Sequence, residues 1–97
     1  MQKNSLPNTQ NSVVFITGAS SGIGYALCKE YLQQGWSVIG LARDESKVPN
    51  ETMDNPKFDF VKTDLSNFDS SKLVIDEVLK KNKKINTFIL NAGIYIP

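Results

Sequence analysis

The sequence predicts an α/β fold, because four short apolar runs alternate with helical patterns and the loop after the first run is rich in glycine. Parallel strands need a crossover between them, and the intervening helices supply it. Right-handed crossovers then make a doubly wound parallel sheet, a βαβαβαβ half-unit with strand order 3-2-1-4. The first two helices fall on one face and the third on the other.

Val13 to Thr17 is apolar and β-branched and ends at a glycine, which reads as a strand buried on both faces. From Ile23 to Gln34, apolar residues recur at Ile23, Ala26, Leu27 and Tyr31 while Lys29, Glu30, Gln33 and Gln34 can face water, so a helix is expected there. Gly35 suits a left-handed cap. Trp36 to Ala42 is the second strand. Asp44 can cap a short helix through Glu45, Ser46, Lys47 and Val48, and Pro49 and Pro56 leave little room for it to continue.

Phe58 to Thr63 is the third strand. Ser66 with Asp69 three residues later has the spacing of a capping box, opening a helix to about Lys81 with Leu73, Val74, Val78 and Leu79 toward the core. Lys80, Lys81, Lys83 and Lys84 crowd its carbonyl end, where positive charge suits the helix dipole, and Asn82 can take the αL cap. Ile85 to Leu90 is the fourth strand, ending at Asn91-Ala92-Gly93.

Eleven Lys and Arg against ten Asp and Glu leave a net charge of +1, which gives no field to attract nucleic acid or an anionic membrane. No apolar run approaches the ~20 residues that span a bilayer. Residues 1–12 are polar, lack the apolar core of a secretory signal and are read as a flexible lead-in, with residues 13–97 as the domain. A single cysteine excludes an internal disulfide, and the absence of histidine removes the usual zinc ligand sets. A cytoplasmic setting is expected.

Thr17-Gly18-Ala19-Ser20-Ser21-Gly22-Ile23-Gly24 joins the first strand to the first helix at the carboxyl edge of the sheet, where a ligand crevice is expected. Gly18 allows the tight turn, Gly22 lets backbone approach a pyrophosphate, and Gly24 lets the helix pack close to the sheet. Glycine clusters also make ordinary turns, but this one opens a helix whose free N–H groups favour phosphate. Thr17-Gly18-x-x-x-Gly22-x-Gly24, Asp64-Leu65 after the third strand and Asn91-Ala92-Gly93 after the fourth resemble the short-chain dehydrogenase/reductase family.

That resemblance implies a Rossmann-type, NAD(P)-binding domain that stops after its fourth strand, from an oxidoreductase moving hydride between NADP(H) and a carbonyl or alcohol substrate. It implies that Thr17, Gly18, Ser20, Ser21, Gly22, Ile23 and Gly24 form the phosphate loop and that Asp64 hydrogen-bonds the adenine amino group, with the Leu65 backbone at the ring edge. Asn91, Ala92 and Gly93 would line the adenosine ribose side. Taken without the family pattern, Asp64 reads as a turn carboxylate. The full-length form is expected to be a homo-oligomer.

NADP is expected over NAD because Ala42 stands where an NAD site usually has a ribose-binding carboxylate, and Arg43 can pair with a 2′-phosphate. Arg43 as a solvated charge, or Asp44 brought to the ribose by a one-residue slip, is the alternative. The family's catalytic Ser, Tyr and Lys have no counterparts here. Tyr25 and Lys29 share the Tyr-x-x-x-Lys spacing but sit beside the phosphate loop, as ordinary helix neighbours. Cys28, with no histidine to activate it, reads as a small packed residue. The 97-residue chain alone is therefore expected to be inactive, and unstable or associating, with a single helix over one face and its fourth strand as an edge. The rival reading is a non-catalytic nucleotide-binding or protein-interaction module.

Overall fold

The computed structural model describes residues 12–64, 66–81 and 84–91, with the backbone alone at Phe68. Ala92 and Gly93, Leu65, Asn82 and Lys83 lie outside the described residues. The elements are β1 (Val13–Thr17), α1 (Gly22–Gln33), β2 (Ser37–Ala42), a 3-10 turn (Glu45–Lys47), α2 (Asn50–Met53), β3 (Phe58–Lys62), α3 (Phe68–Lys81) and β4 (Thr87–Leu90). The four strands are parallel in the order β3-β2-β1-β4, as the crossover rules require.

The register puts Val14 beside Val38, and Val38 beside Phe58, so alternate residues of the sheet share a face. On one face Val14, Ile16, Val38 and Phe58 pack with Cys28 of α1, and Leu27, Tyr31, Leu32 and Met53 close over them. On the other, Phe15, Ile39 and Leu41 pack with Val78 of α3, flanked by Val74 and Ile75. The two helices after β1 and β2 thus share a face and α3 has the opposite one, as expected.

α1 ends in a Schellman motif. Gly35 takes φ 90°, its N–H donates to the Leu32 carbonyl, and the Trp36 N–H reaches back to Tyr31 at 3.0 Å. The Tyr31 and Trp36 rings meet edge to face at 4.8 Å, the apolar contact that accompanies this cap.

The structure differs from the expectations at several points. Ile23 and Ala26 do not face the core: Ile23 is 72% exposed, and the buried residues of α1 are Gly24 and Cys28. The helix lies so close to the sheet that small residues make the contact. After β2 there are two short pieces, because Pro49 opens α2 as its N-cap and does not simply end the preceding turn. Asn67, not Ser66, caps α3, its Oδ1 accepting from the Ser70 N–H at 3.1 Å; the Ser66 hydroxyl is taken by Asp64. Leu73 and Leu79 are exposed, and the inward side of α3 is Ser71, Val74, Ile75 and Val78.

β4 begins at Thr87, two residues later than expected, and among the described residues it pairs only with β1. Ile89 packs on the α1 face, whereas Phe88 and Leu90 stand 51% and 72% exposed on the α3 face.

Candidate functional site

The carboxyl ends of β1, β2, β3 and β4 bring Thr17, Ala42, Lys62 and Leu90 to one edge of the sheet. The loops that follow them are tied across that edge. The Ala19 N–H donates to the Leu41 carbonyl at 3.0 Å, the Thr63 N–H to Ala42 at 2.8 Å, and the Thr17 hydroxyl to the Asn91 carbonyl at 3.2 Å. The phosphate-loop candidates, Arg43, Asp64 and Asn91 are therefore neighbours in space although they come from all four strand ends.

Gly18 turns the chain at φ 67°, and its carbonyl is the hub of the loop. It accepts from the Ser21 N–H at 3.2 Å, from the Ser21 hydroxyl at 3.0 Å and, at the long limit of 3.5 Å, from Asn91 Nδ2. Because the Ser21 hydroxyl is spent there, it makes no cap bond to α1, and the first turn of that helix contains no acidic residue. The amides of Gly22, Ile23 and Gly24 have no intrahelical acceptor by geometry, and no described residue accepts from them. An uncapped helix start with a partial positive charge suits an anion.

The glycines differ in what surrounds them. A Cβ on Gly22 would meet nothing within 4 Å, so this position faces open space. A Cβ on Gly24 would lie 2.7 Å from Asn91 Nδ2 and would overlap the Gly18 carbonyl, a backbone clash that no rotamer change relieves. Gly24 thus seals the loop against the sheet, and Gly22 leaves a backbone cradle that a side chain would fill. Ile23, turned away from the core, and the exposed Ser21 form the rim.

Arg43 and Asp64 are both exposed at the ends of β2 and β3. Asp64 Oδ1 accepts from the Ser66 hydroxyl at 2.6 Å and from the Ser66 N–H at 3.0 Å, so it does make a turn. These bonds, with a smaller contribution from the Arg43 charge, hold the Asp64 carboxyl below its usual pKa. Asp44 repeats the arrangement with Ser46, at 2.7 and 3.0 Å, and is likewise held ionised by those bonds, with Lys47 and Lys62 adding less.

Tyr25 gives its hydroxyl to packing: it lies 2.8 Å from Thr52 Oγ1, bridging α1 to α2, and Lys29 stands 5.8 Å over its ring. Cys28 is fully buried, and desolvation pushes its thiol up to about 12, so it is a core residue. No group of potential metal ligands occurs among the described residues, and no helix there is long and apolar enough to cross a membrane.

Asp44 caps the short 3-10 turn as expected and Asp64 makes the turn that its residue type suggests; the Ser46 and Ser66 hydroxyls that end on these carboxylates were not anticipated, although the Asp-x-Ser spacing at 44–46 and 64–66 signals them.

A family model described as short chain dehydrogenase matches residues 12–97. Among curated proteins, the chain is 39% identical over 89 residues to a 3-oxoacyl-[acyl-carrier-protein] reductase of Buchnera aphidicola, covering 90% of this chain and 36% of that protein. Among solved structures, a ligand-free aldohexose dehydrogenase of Thermoplasma acidophilum is 31% identical with a TM-score of 0.71, over 92% of this chain and 32% of that one. A 3-ketoacyl-(acyl-carrier-protein) reductase of Brucella melitensis, complexed with NADH, shares the fold at a TM-score of 0.67 and 24% identity, over 79% of this chain and 32% of its own. The chain spans about a third of the length of these relatives. The model match runs from the residue before β1 past the end of β4, and the same arrangement of strands recurs in the solved relatives: the chain belongs to the short-chain dehydrogenase family.

Proposed function

We propose that this chain is the cofactor-binding part of an NADP-dependent oxidoreductase acting on a carbonyl or alcohol substrate, and that the 97 residues alone bind cofactor without turning substrate over. The observation that carries the reading is the open cradle at Gly22 beside an uncapped helix start. The amides of α1 receive the pyrophosphate there, and Thr17, Gly18 and Asn91 hold the loop to the sheet so that the amides are in place before the ligand arrives.

The adenosine lies over the ends of β2 and β3. Asp64 accepts from the adenine amino group and Asn91 stands on the ribose side, the roles at the ring edge and the ribose being shared with the Leu65 backbone and with Ala92 and Gly93, which lie outside the described residues. Arg43 meets the 2′-phosphate, with the Ser20 hydroxyl as a further donor from the glycine loop; the Ser21 hydroxyl is engaged by the Gly18 carbonyl. One observation favours NADP: Ala42 ends β2 without a carboxylate, and Asp44 stands two residues on as the N-cap of the 3-10 turn. When bound, the nicotinamide supplies or accepts the hydride.

The only Tyr-x-x-x-Lys in the sequence is Tyr25 with Lys29, and the Tyr25 hydroxyl is committed to Thr52. No proton donor for a substrate therefore comes from that pair. The oxidoreductases among the relatives favour an enzyme over a non-catalytic module. A cytoplasmic setting goes with a single, buried free thiol.

Cofactor titration tests the preference. Ala42→Asp places a carboxylate against the 2′-phosphate and Arg43→Ala removes its counter-charge; each should weaken NADP by about tenfold or more while changing NAD far less. An unchanged NADP/NAD ratio in both variants contradicts the assignment.

A further inference from the structure

We propose that Ser66 is a positioning residue for adenine: its hydroxyl fixes the Asp64 carboxylate so that Oδ2 is the oxygen left to meet the ring's amino group. This rests on the adenine role proposed above for Asp64. The backbone of Asp64 is already anchored from both sides. Thr63 donates to β2 through its N–H, and the Asp64 carbonyl accepts from the Asn67 N–H at 3.0 Å and the Ser71 hydroxyl at 2.9 Å. What remains free is rotation of the side chain, and Ser66 removes it.

Both Ser66 donors end on the same oxygen, Oδ1, at 2.6 and 3.0 Å, and Oδ2 has no hydrogen-bond partner among the described residues. The two carboxylate oxygens are equivalent, and one bond from the amide leaves the group free to swing about it. The hydroxyl, arriving at the same oxygen from a second direction, fixes the plane of the carboxylate and the direction in which the other oxygen points.

The same geometry at Asp44 and Ser46, with 2.7 and 3.0 Å bonds, indicates that the lock is a local property of Asp-x-Ser and forms without a ligand. Its consequence depends on where it stands. At the end of β2 it starts a 3-10 turn; at the end of β3 it leaves an ionised acceptor exposed at the edge where the adenosine is placed. An ionised carboxylate only accepts hydrogen bonds, so it favours the amino group of adenine and repels the carbonyl that hypoxanthine has in its place.

The test is the ratio of dissociation constants for NADP and its hypoxanthine analogue, measured by titration of the chain, with circular dichroism on every variant. Ser66→Ala should lose about three- to tenfold in NADP affinity and less for the analogue, so the ratio shrinks, and Ser66→Thr should restore it. Ser66→Cys, a weak donor of similar shape, should shrink the ratio too and serves if the alanine variant loses structure. Ser46→Ala, which removes the matching hydroxyl at β2, should leave the ratio unchanged. If Asp64→Ala abolishes the discrimination while Ser66→Ala and Ser66→Cys keep it, the positioning role is overturned and the adenine contact stands. If Asp64→Ala leaves the discrimination intact, the adenine contact itself is wrong, and the positioning role falls with it.

Discussion

Gly22 and Gly24 are two residues apart in the first turn of α1, yet they serve opposite sides of it. A side chain on Gly24 would collide with the Gly18 carbonyl and Asn91, whereas one on Gly22 would stand in open space. The inner wall is set by packing and the outer wall by what the loop leaves empty. A glycine demanded by packing and a glycine that borders open space look alike in sequence and separate only when the space around each is known.

The sharpest way to break this contrast is Gly24→Val. Its Cβ has nowhere to go because the obstacle is backbone, so the variant should lose about 3 kcal/mol or more, and thermal unfolding should register it. A variant as stable as the parent would mean that α1 can lift from the sheet at no cost.

Cys28, one turn further along the buried side of α1, sharpens the same point through pH. Its thiol is raised from 9.0 to about 12 in the folded state, so the native chain holds the proton more tightly than the unfolded chain. The contribution is complete below about pH 9 and is lost as pH rises through about 12. Stability should fall across that window in the parent more than in Cys28→Ala, and thiol reagents at neutral pH should label Cys28 only on unfolding.

The contrast extends to α3, where Val78 is buried and Leu73 is 69% exposed. Val78→Ala should cost roughly 1–3 kcal/mol and Leu73→Ser less than about 0.5 kcal/mol in denaturant unfolding. Equal losses would mean that the helix is rotated from the position described.

The strand order and the helix on each face were legible because β1 and β2 are apolar on both faces and the crossovers have one allowed hand. The helix faces were less so. Weighting by bulk put Ile23 and Leu73 inside, but the closest contacts of α1 are made by Gly24 and Cys28, and α3 buries Ser71, whose hydroxyl binds the carbonyls of Asp64 and Asn67. Hydrophobic periodicity is blind to small residues at close approach and to hydroxyls that bond backbone. The candidate site was legible as a set of strand-end residues. The serine hydroxyls that end on Asp64 and Asp44 were not, since at Asp64 this depends on which of two neighbouring residues, Ser66 or Asn67, caps the helix.

The central claim is that the open side of the glycine loop is a phosphate cradle, and Gly22→Val tests it most directly. The side chain enters space that no described atom occupies, so circular dichroism and the melting temperature should stay close to those of the parent while titration with NADP gives no binding. A folded Gly22→Val chain that binds NADP at full strength would contradict the account.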